Sequence, residues 1–255
     1  MDYFTFKTEK LQTFVFPNRQ IMGEEAADRA AKYIERLLCE KDEINILFAA
    51  APSQNEFLES LREKSIPWNR INALHMDEYV GLPSNAPQAF GNYLREHIFE
   101  CVPFKSIHYL YQENETPEMT CKRYEGILKE YPLDIVFMGI GENGHIAFND
   151  PHVALFDDPQ SVKVIKLDEI CRMQQVHDGC FHSLEEVPQM AITVTIPVIL
   201  SAQYLFCMVP GSTKANAIHA TLLGDIHTTC PASILRTHPN AFLFCDKDSA
   251  SLITQ

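Results

Sequence analysis

Leu133-Asp134-Ile135-Val136-Phe137-Met138-Gly139, continued by Ile140-Gly141-Glu142-Asn143-Gly144-His145-Ile146-Ala147-Phe148-Asn149-Asp150-Pro151, is the stretch that decides the fold. Ile135 to Met138 are apolar at every position rather than at alternate ones. A strand of this kind is buried on both faces, as in a parallel sheet covered by helices on each side. The glycines that follow spell Gly-x-Gly-x-x-Gly, the pattern of a dinucleotide-binding turn, but the context that the pattern needs is missing. No amphipathic helix follows, because His145 to Pro151 runs into turn residues within two turns, and the motif stands in mid-chain. The segment reads instead as a loop of exposed backbone presenting Asn143, His145 and Asp150 to a ligand. No nicotinamide or flavin cofactor is expected.

Working outward, apolar runs of strand length recur at 45–50, 71–76, 106–111, 133–139, 162–167, 190–196, 203–209 and 241–245. Segments with helical spacing lie between them, at 24–40, 53–64, 88–100, 117–131 and 213–223. Ser53-Gln54-Asn55-Glu56 has the form of a capping box, and Gly224 marks a helix stop. Strand and helix alternate along the whole chain, with no internal repeat, low-complexity tract or Pro/Gly/Ser linker. The expectation is an α/β fold: one doubly wound, mostly parallel sheet flanked by helices, Rossmann-like without a dinucleotide, as a single domain over 1–255. In such sheets ligands sit beyond the carboxyl ends of the strands.

Composition narrows the function. The 255 residues are 46% hydrophobic and 22% charged, which excludes intrinsic disorder. With 21 Lys+Arg against 34 Asp+Glu, the formal net charge is -13, a surface that repels nucleic acid and anionic lipid. The longest apolar run, Ile46 to Pro52, is too short to span a bilayer, and Met1 to Lys7 lacks the pattern of a signal peptide. Eight scattered cysteines without a Cys-x-x-Cys read as reduced thiols, several buried in strands. A cytoplasmic protein with no nucleic-acid or membrane partner is expected.

Three further strand ends carry chemistry. Ala49-Ala50-Ala51-Pro52-Ser53 puts small residues at a strand-to-helix turn, where backbone N–H groups can approach an anion; a plain turn is the alternative. Asp77 and Glu78 follow a buried strand, where lost solvation raises a carboxyl pKa and makes a proton acceptor; capping by Asp77 is the alternative. Pro210-Gly211-Ser212-Thr213-Lys214 sets a lysine at a helix start, unfavourable against the helix dipole unless an anion lies there. This reads as a monophosphate site, against an ordinary exposed lysine. No histidine or cysteine spacing supports a metal, so none is expected.

Taken together, Met76-Asp77-Glu78-Tyr79-Val80-Gly81, Gly144-His145-Ile146-Ala147-Phe148-Asn149 and Gly211-Ser212-Thr213-Lys214 resemble the glucosamine-6-phosphate deaminase (isomerase) family, which shares a fold with 6-phosphogluconolactonases. The resemblance covers most of the chain, from about residue 44 to 246. It implies that Asp77 shuttles a proton between C1 and C2 of an open-chain aldose phosphate, that His145 opens the sugar ring, and that Lys214 grips the phosphate. It implies no redox cofactor and no metal. The small-molecule partner is a sugar phosphate, and because family members form oligomers of different sizes a homo-oligomer stays open.

The chain departs from the family at four places. Asn143 replaces the aspartate of Asp-Gly-His, so an amide accepts the ring N–H where a carboxylate would, and His145 is expected to be a weaker base. Asp150 stands for a glutamate and is one methylene shorter. The first phosphate loop, with Ala50, Ala51 and Ser53, lacks the family's glycines. The family's phosphate-binding arginine, shortly before a Phe-Phe pair, is absent near Phe181, where the chain reads Val176-His177-Asp178-Gly179-Cys180; Arg236 is the expected replacement. Gly141 and Glu78 complete the expected substrate-binding residues. Lactonases of this fold show Asp-Glu-Arg and Gly-His-Thr-Ala-Ser, so Tyr79 and Ile146-Ala147-Phe148-Asn149 favour the deaminase. A lactone hydrolase and a sugar-phosphate sensor with weakened chemistry are the alternatives.

Overall fold

The computed structural model describes residues 3–112 and 114–253, so Met1 and Asp2, the first residues of the segment read for a leader, lie outside the described residues. Strands β1 (Phe4–Thr8) and β2 (Leu11–Phe16) precede helix α1 (Arg19–Glu40), strand β3 (Ile44–Phe48) and helix α2 (Asn55–Arg62). Strands β4 (Ile71–His75) and β5 (Asp77–Tyr79), helix α3 (Phe90–Leu94), strand β6 (Ser106–His108), helix α4 (Pro117–Glu130) and strand β7 (Ile135–Met138) follow. The chain closes with β8 (Val162–Lys166), α5 (Glu169–His177), β9 (Met190–Val194), α6 (Ile196–Leu200), β10 (Tyr204–Val209), α7 (Ala215–Leu223) and β11 (Ala241–Asp246).

Eight strands form the main sheet in the order β1-β2-β11-β10-β7-β3-β4-β6. All neighbours are parallel except β1 on β2, so the fold is α/β with a mostly parallel sheet. From β3 the chain winds outward through β4 to β6; from β7 it winds the other way through β10 to β11. The carboxyl ends of β3 and β7, paired to each other, are therefore the topological switch point, where open α/β sheets leave a crevice.

The double-sided apolar reading of β7 is what holds the layers together. Ile135 and Phe137 join Ile46, Phe48, Phe206 and the α1 residues Ala26, Ala30 and Ile34 on one face. Val136 and Met138 join Leu47, Leu205, Tyr124 of α4 and Ile218 of α7 on the other. At about 25 cal/mol per Å² of apolar area removed from water, each such Phe or Ile stabilises by about 1.5–3 kcal/mol.

Several sequence expectations are corrected. Segments 162–167 and 190–196 are not strands of the main sheet: β8 and β9 form a separate antiparallel sheet with the short β5. The second of them stops at Val194, because Pro197 suits the first turn of α6. The hairpin β1–β2 and the helix α5 were not expected at all. Helix α1 begins at Arg19 rather than residue 24, since Asn18 Oδ1 accepts from Ile21 N and caps it. The Ser53–Glu56 capping box does not form: Pro52–Gln54 make a 3-10 turn without a side-chain cap, and Glu56 pairs with Arg19 instead. All eight cysteines are free thiols, with Cys207 and Cys245 buried in strands. Among the described residues no helix is long and apolar enough to cross a membrane.

Candidate active site

A cavity of about 160 Å³ opens at the switch point. Ala49, Ala50, Ala51 and Ser53 line it from the end of β3, and Gly139 and Gly141 from the end of β7. Asp77 enters where the chain leaves β4, and Thr213 and Lys214 where it leaves β10. His145 closes one wall, with Ala147 and Phe148 beside it. The structure thus gathers Asp77, His145, Gly141, Ala50, Ala51, Ser53 and Lys214 around one space.

Asp77 sits at the seam between the two sheets. Met76 N donates to Phe48 O of the main sheet, and Val194 N donates to Met76 O from the second sheet, which fixes the backbone one residue before the carboxylate. The side chain is buried and its Oδ1 has no hydrogen-bond partner among the described residues. Burial first, and the neighbouring Glu78 charge second, push its pKa well above the ordinary carboxylate value. A carboxylate so placed is a stronger base than an ordinary one, as the acceptor of a carbon-bound proton has to be.

His145 is positioned from the other ring nitrogen. Its Nδ1 lies 2.8 Å from Asn143 Oδ1 and 3.0 Å from Asp150 Oδ1. Two acceptors there assign the proton of the neutral ring to Nδ1 and leave Nε2 as the free base. Asn143 Nδ2 in turn donates to Asp150 at 3.1 Å and to Asp168 at 3.1 Å, so the amide bridges two acids. Burial works to raise the Asp150 pKa, but His145, Asn143 and the Asp168 N–H more than offset it and hold it below the ordinary value. The shorter acid therefore reaches the ring, and the Asn143 amide faces the same nitrogen beside it. The imidazole packs directly on Gly141: a Cβ there would lie 2.1 to 2.3 Å from ring atoms, so only glycine admits the ring.

Lys214 is buried, and its Nζ has no hydrogen-bond partner among the described residues. Burial lowers its pKa, while Asp178 and Glu142 act the other way. A buried, unpartnered ammonium on a residue that lines a cavity is a site for an anion. The residue at the helix start is thus not an ordinary exposed lysine.

Two expected binding residues lie elsewhere. Arg236 does not line the cavity; its Nη1 donates to Leu222 O at 2.9 Å, tying the turn Pro231–Thr237 to the end of α7. Glu78 points away from the cavity and accepts from Tyr79 N, Phe90 N and Gly91 N, holding the start of α3. Burial lifts its pKa to about 7 although those three N–H groups pull it down. Sequence reasoning missed Arg19, Gln174, Gln175 and Asp178, which also line the cavity. Asn18 before α1 and Asp168 before α5, whose side chain accepts from Cys171 N, were the capping signals that could have placed these helices. Arg19 itself is forked onto Glu56, at 2.6 and 2.9 Å.

Among the described residues, two groupings bring three potential metal ligands within 4.8 Å of one another: His145–Asp150–Cys171 and Asp150–His152–Asp168. In the first, His145 Nδ1 already faces two acceptors and burial holds Cys171 as a thiol. In the second, His152 Nε2 meets Lys166 O at 2.9 Å.

Residues 17–243 match the family described as glucosamine-6-phosphate isomerases/6-phosphogluconolactonase. Glucosamine-6-phosphate deaminases of Bacillus thuringiensis (strain Al Hakam) and Bacillus anthracis (strain A0248) are each 33% identical over 232 residues, covering 91% of this chain and 87% of theirs. A solved monomeric glucosamine-6-phosphate deaminase superposes with a TM-score of 0.84 at 27% identity, over 95% of this chain and 99% of that one. A 6-phosphogluconolactonase from Thermotoga maritima reaches 0.76 at 21% identity, over 93% and 100%, which is a likeness of fold alone. Motifs, fold and relatives converge: the chain belongs to the glucosamine-6-phosphate isomerase/6-phosphogluconolactonase family.

Proposed function

We propose that this protein isomerises and deaminates an amino-sugar 6-phosphate, converting glucosamine 6-phosphate and water to fructose 6-phosphate and ammonia. The observation that carries the reading is that Asp77 and Lys214, each with a buried and unpartnered polar atom, line the same cavity as His145. Nε2 of His145 exchanges a proton with the ring oxygen and frees the aldehyde. Lys214 holds the phosphate at the other end of the sugar. The Asp77 carboxylate takes the C2 proton, giving an enolamine, and returns it to C1. A proton passes from nitrogen to O1, so the aldehyde at C1 becomes a hydroxymethyl group and C2 an imine. Water adds to C2 and ammonia leaves, completing the ketone. The steps need no redox change. We take the protein to act on this small molecule without a metal.

The test is incubation with glucosamine 6-phosphate, measuring ammonia and fructose 6-phosphate, with 6-phosphogluconolactone in a parallel run. Equimolar formation of both products supports the reading. Lactone hydrolysis without ammonia release would replace it with the hydrolase, and tight binding without either turnover would replace it with a sensor.

A further inference from the structure

The cavity that holds Lys214 also holds an acid, and the two charges act on each other. Asp178 lines the same space, as the residue closing the C-terminus of α5. A carboxylate is unfavourable there, because the helix dipole already places negative charge at that end. Gly179, at φ +75°, turns the chain sharply after it, and Gln174 Nε2 donates to Asp178 Oδ2 at 3.4 Å. The other lining cation, Arg19, is neutralised by its fork onto Glu56. Gly211 N–H, at the turn before Lys214, is already donated to Asp246, at 3.0 and 3.1 Å. An anion here therefore meets the Lys214 ammonium in a cavity that the Asp178 carboxyl group also lines.

We propose that Asp178 is a specificity-determining residue: lining the same cavity as Lys214, it disfavours a dianionic tail and admits a sugar phosphate together with one proton. This rests on the reading above, since it takes a sugar 6-phosphate as the ligand. A phosphate monoester with a second pKa near 6 is largely dianionic at neutral pH. Binding it beside a carboxylate forces a proton onto one of the two, so affinity falls as pH rises. Burial already shifts Asp178 toward its protonated form, although Lys214 opposes this. The charged and titratable groups around it are Lys214 from the start of α7, Glu142 from the loop after β7, its own neighbour His177 and the Cys180 thiol, with Arg19, Asp77 and His145 lining the same cavity. A site built this way distinguishes phosphorylated from unphosphorylated amino sugar less sharply than a purely cationic one.

The test is calorimetric binding of glucitol 6-phosphate, which has the phosphate tail but no carbonyl to react, at pH 6, 7 and 8. Wild type, Asp178→Asn and Asp178→Ser are compared, with glucitol as the tail-free control and a melting curve to confirm folding. In wild type, affinity should weaken about fivefold or more from pH 7 to 8, with proton uptake on binding. Both variants should bind about tenfold or more tighter at pH 8 with a flatter pH dependence, and glucitol should not tell the three proteins apart. Variant affinities at pH 8 within threefold of wild type, or no binding by any of the proteins, would overturn the inference. Ammonia release from glucosamine 6-phosphate is scored separately. Turnover with unchanged variant affinity sinks the inference alone; the affinity difference without turnover sinks the deamination reading and leaves Asp178 as the selector.

Discussion

The carboxylate of Asp150 lies 3.0 Å from Nδ1 of His145, and a single amide, Asn143, contacts both. A carboxylate at Nδ1 stabilises the imidazolium that forms when Nε2 takes a proton, and it holds the ring in one tautomer. Asp150 is fully buried, 0% exposed, so its charge acts on the ring without solvent between them. Replacing it by Asn should lower kcat about 10²-fold, within the range assigned to a positioned acid–base pair. Because its pKa is depressed in the folded state, its stabilisation is present above the ordinary carboxylate value and lost as pH falls through its own. Melting curves of Asp150→Asn should accordingly fall below wild type at pH 7 and converge with it in acid.

Asn143 looks in sequence like a lost aspartate, which suggests that restoring it would strengthen the base. The geometry predicts the reverse. Its Nδ2 donates to Asp150 and to Asp168, so Asn143→Asp would set three carboxyl groups against each other. The variant should lose about 1–3 kcal/mol of stability, increasingly as pH rises through the carboxylate range, with activity reduced. A more stable and more active variant would show that another group separates the two acids.

Gly141 and His145 are a single packing unit. A methyl group at 141 would overlap the imidazole at 2.1 to 2.3 Å, and the ring, held by Asn143 and Asp150, has to leave its place. A displacement of this size is worth about 10²-fold in rate. Gly141→Ala should therefore lose most of its kcat and also melt below wild type at pH 7, since moving the ring breaks its contact with the buried Asp150.

Asp77 is expected to trade stability for chemistry. Its folded-state pKa is raised, so the native state binds the proton more tightly than the unfolded chain does, and stability falls as pH rises from the ordinary carboxylate value toward its own. Asp77→Asn removes that penalty. At pH 7 to 8 the variant should melt at a higher temperature than wild type and release no measurable ammonia, and the gain should shrink toward pH 4. The acid limb of the wild-type rate profile should lie above the ordinary carboxylate range, because a base must be ionised to act.

The part of this molecule that could be read from sequence is the part written in uninterrupted apolar runs. β3, β4, β7 and β10 are apolar runs buried in the sheet, and their carboxyl ends carry Ala50, Asp77, Gly141 and Lys214 in positions that local pattern locates. The second sheet was not legible, because β5 is three residues long and β8 and β9 look, strand by strand, like members of the main sheet. The hairpin β1–β2 turns at Glu9, a non-glycine residue at φ 52°, without the Asn-Gly or Asp-Gly signal of a tight turn. Asp178 and Arg19 reach the cavity from helices far apart in the chain, and only the tertiary packing brings them together.

Lys214 and Arg236 make opposite predictions, although both are buried cations. Lys214 Nζ has no partner and lines the cavity, whereas Arg236 is tied to Leu222 O and lies outside it. Burial depresses the Lys214 pKa, so the ammonium costs stability at every pH below that value, and Lys214→Met should melt at a higher temperature than wild type at pH 7. The same change removes a charge-assisted hydrogen bond to the ligand and should raise KM for glucosamine 6-phosphate about 10- to 100-fold. Arg236→Ala leaves a buried carbonyl unpaired and should lower stability by about 1–3 kcal/mol with KM unchanged. Steady-state kinetics and thermal melts on the two variants separate the roles; a KM that rises only in the arginine variant would place the phosphate at the wrong end of α7.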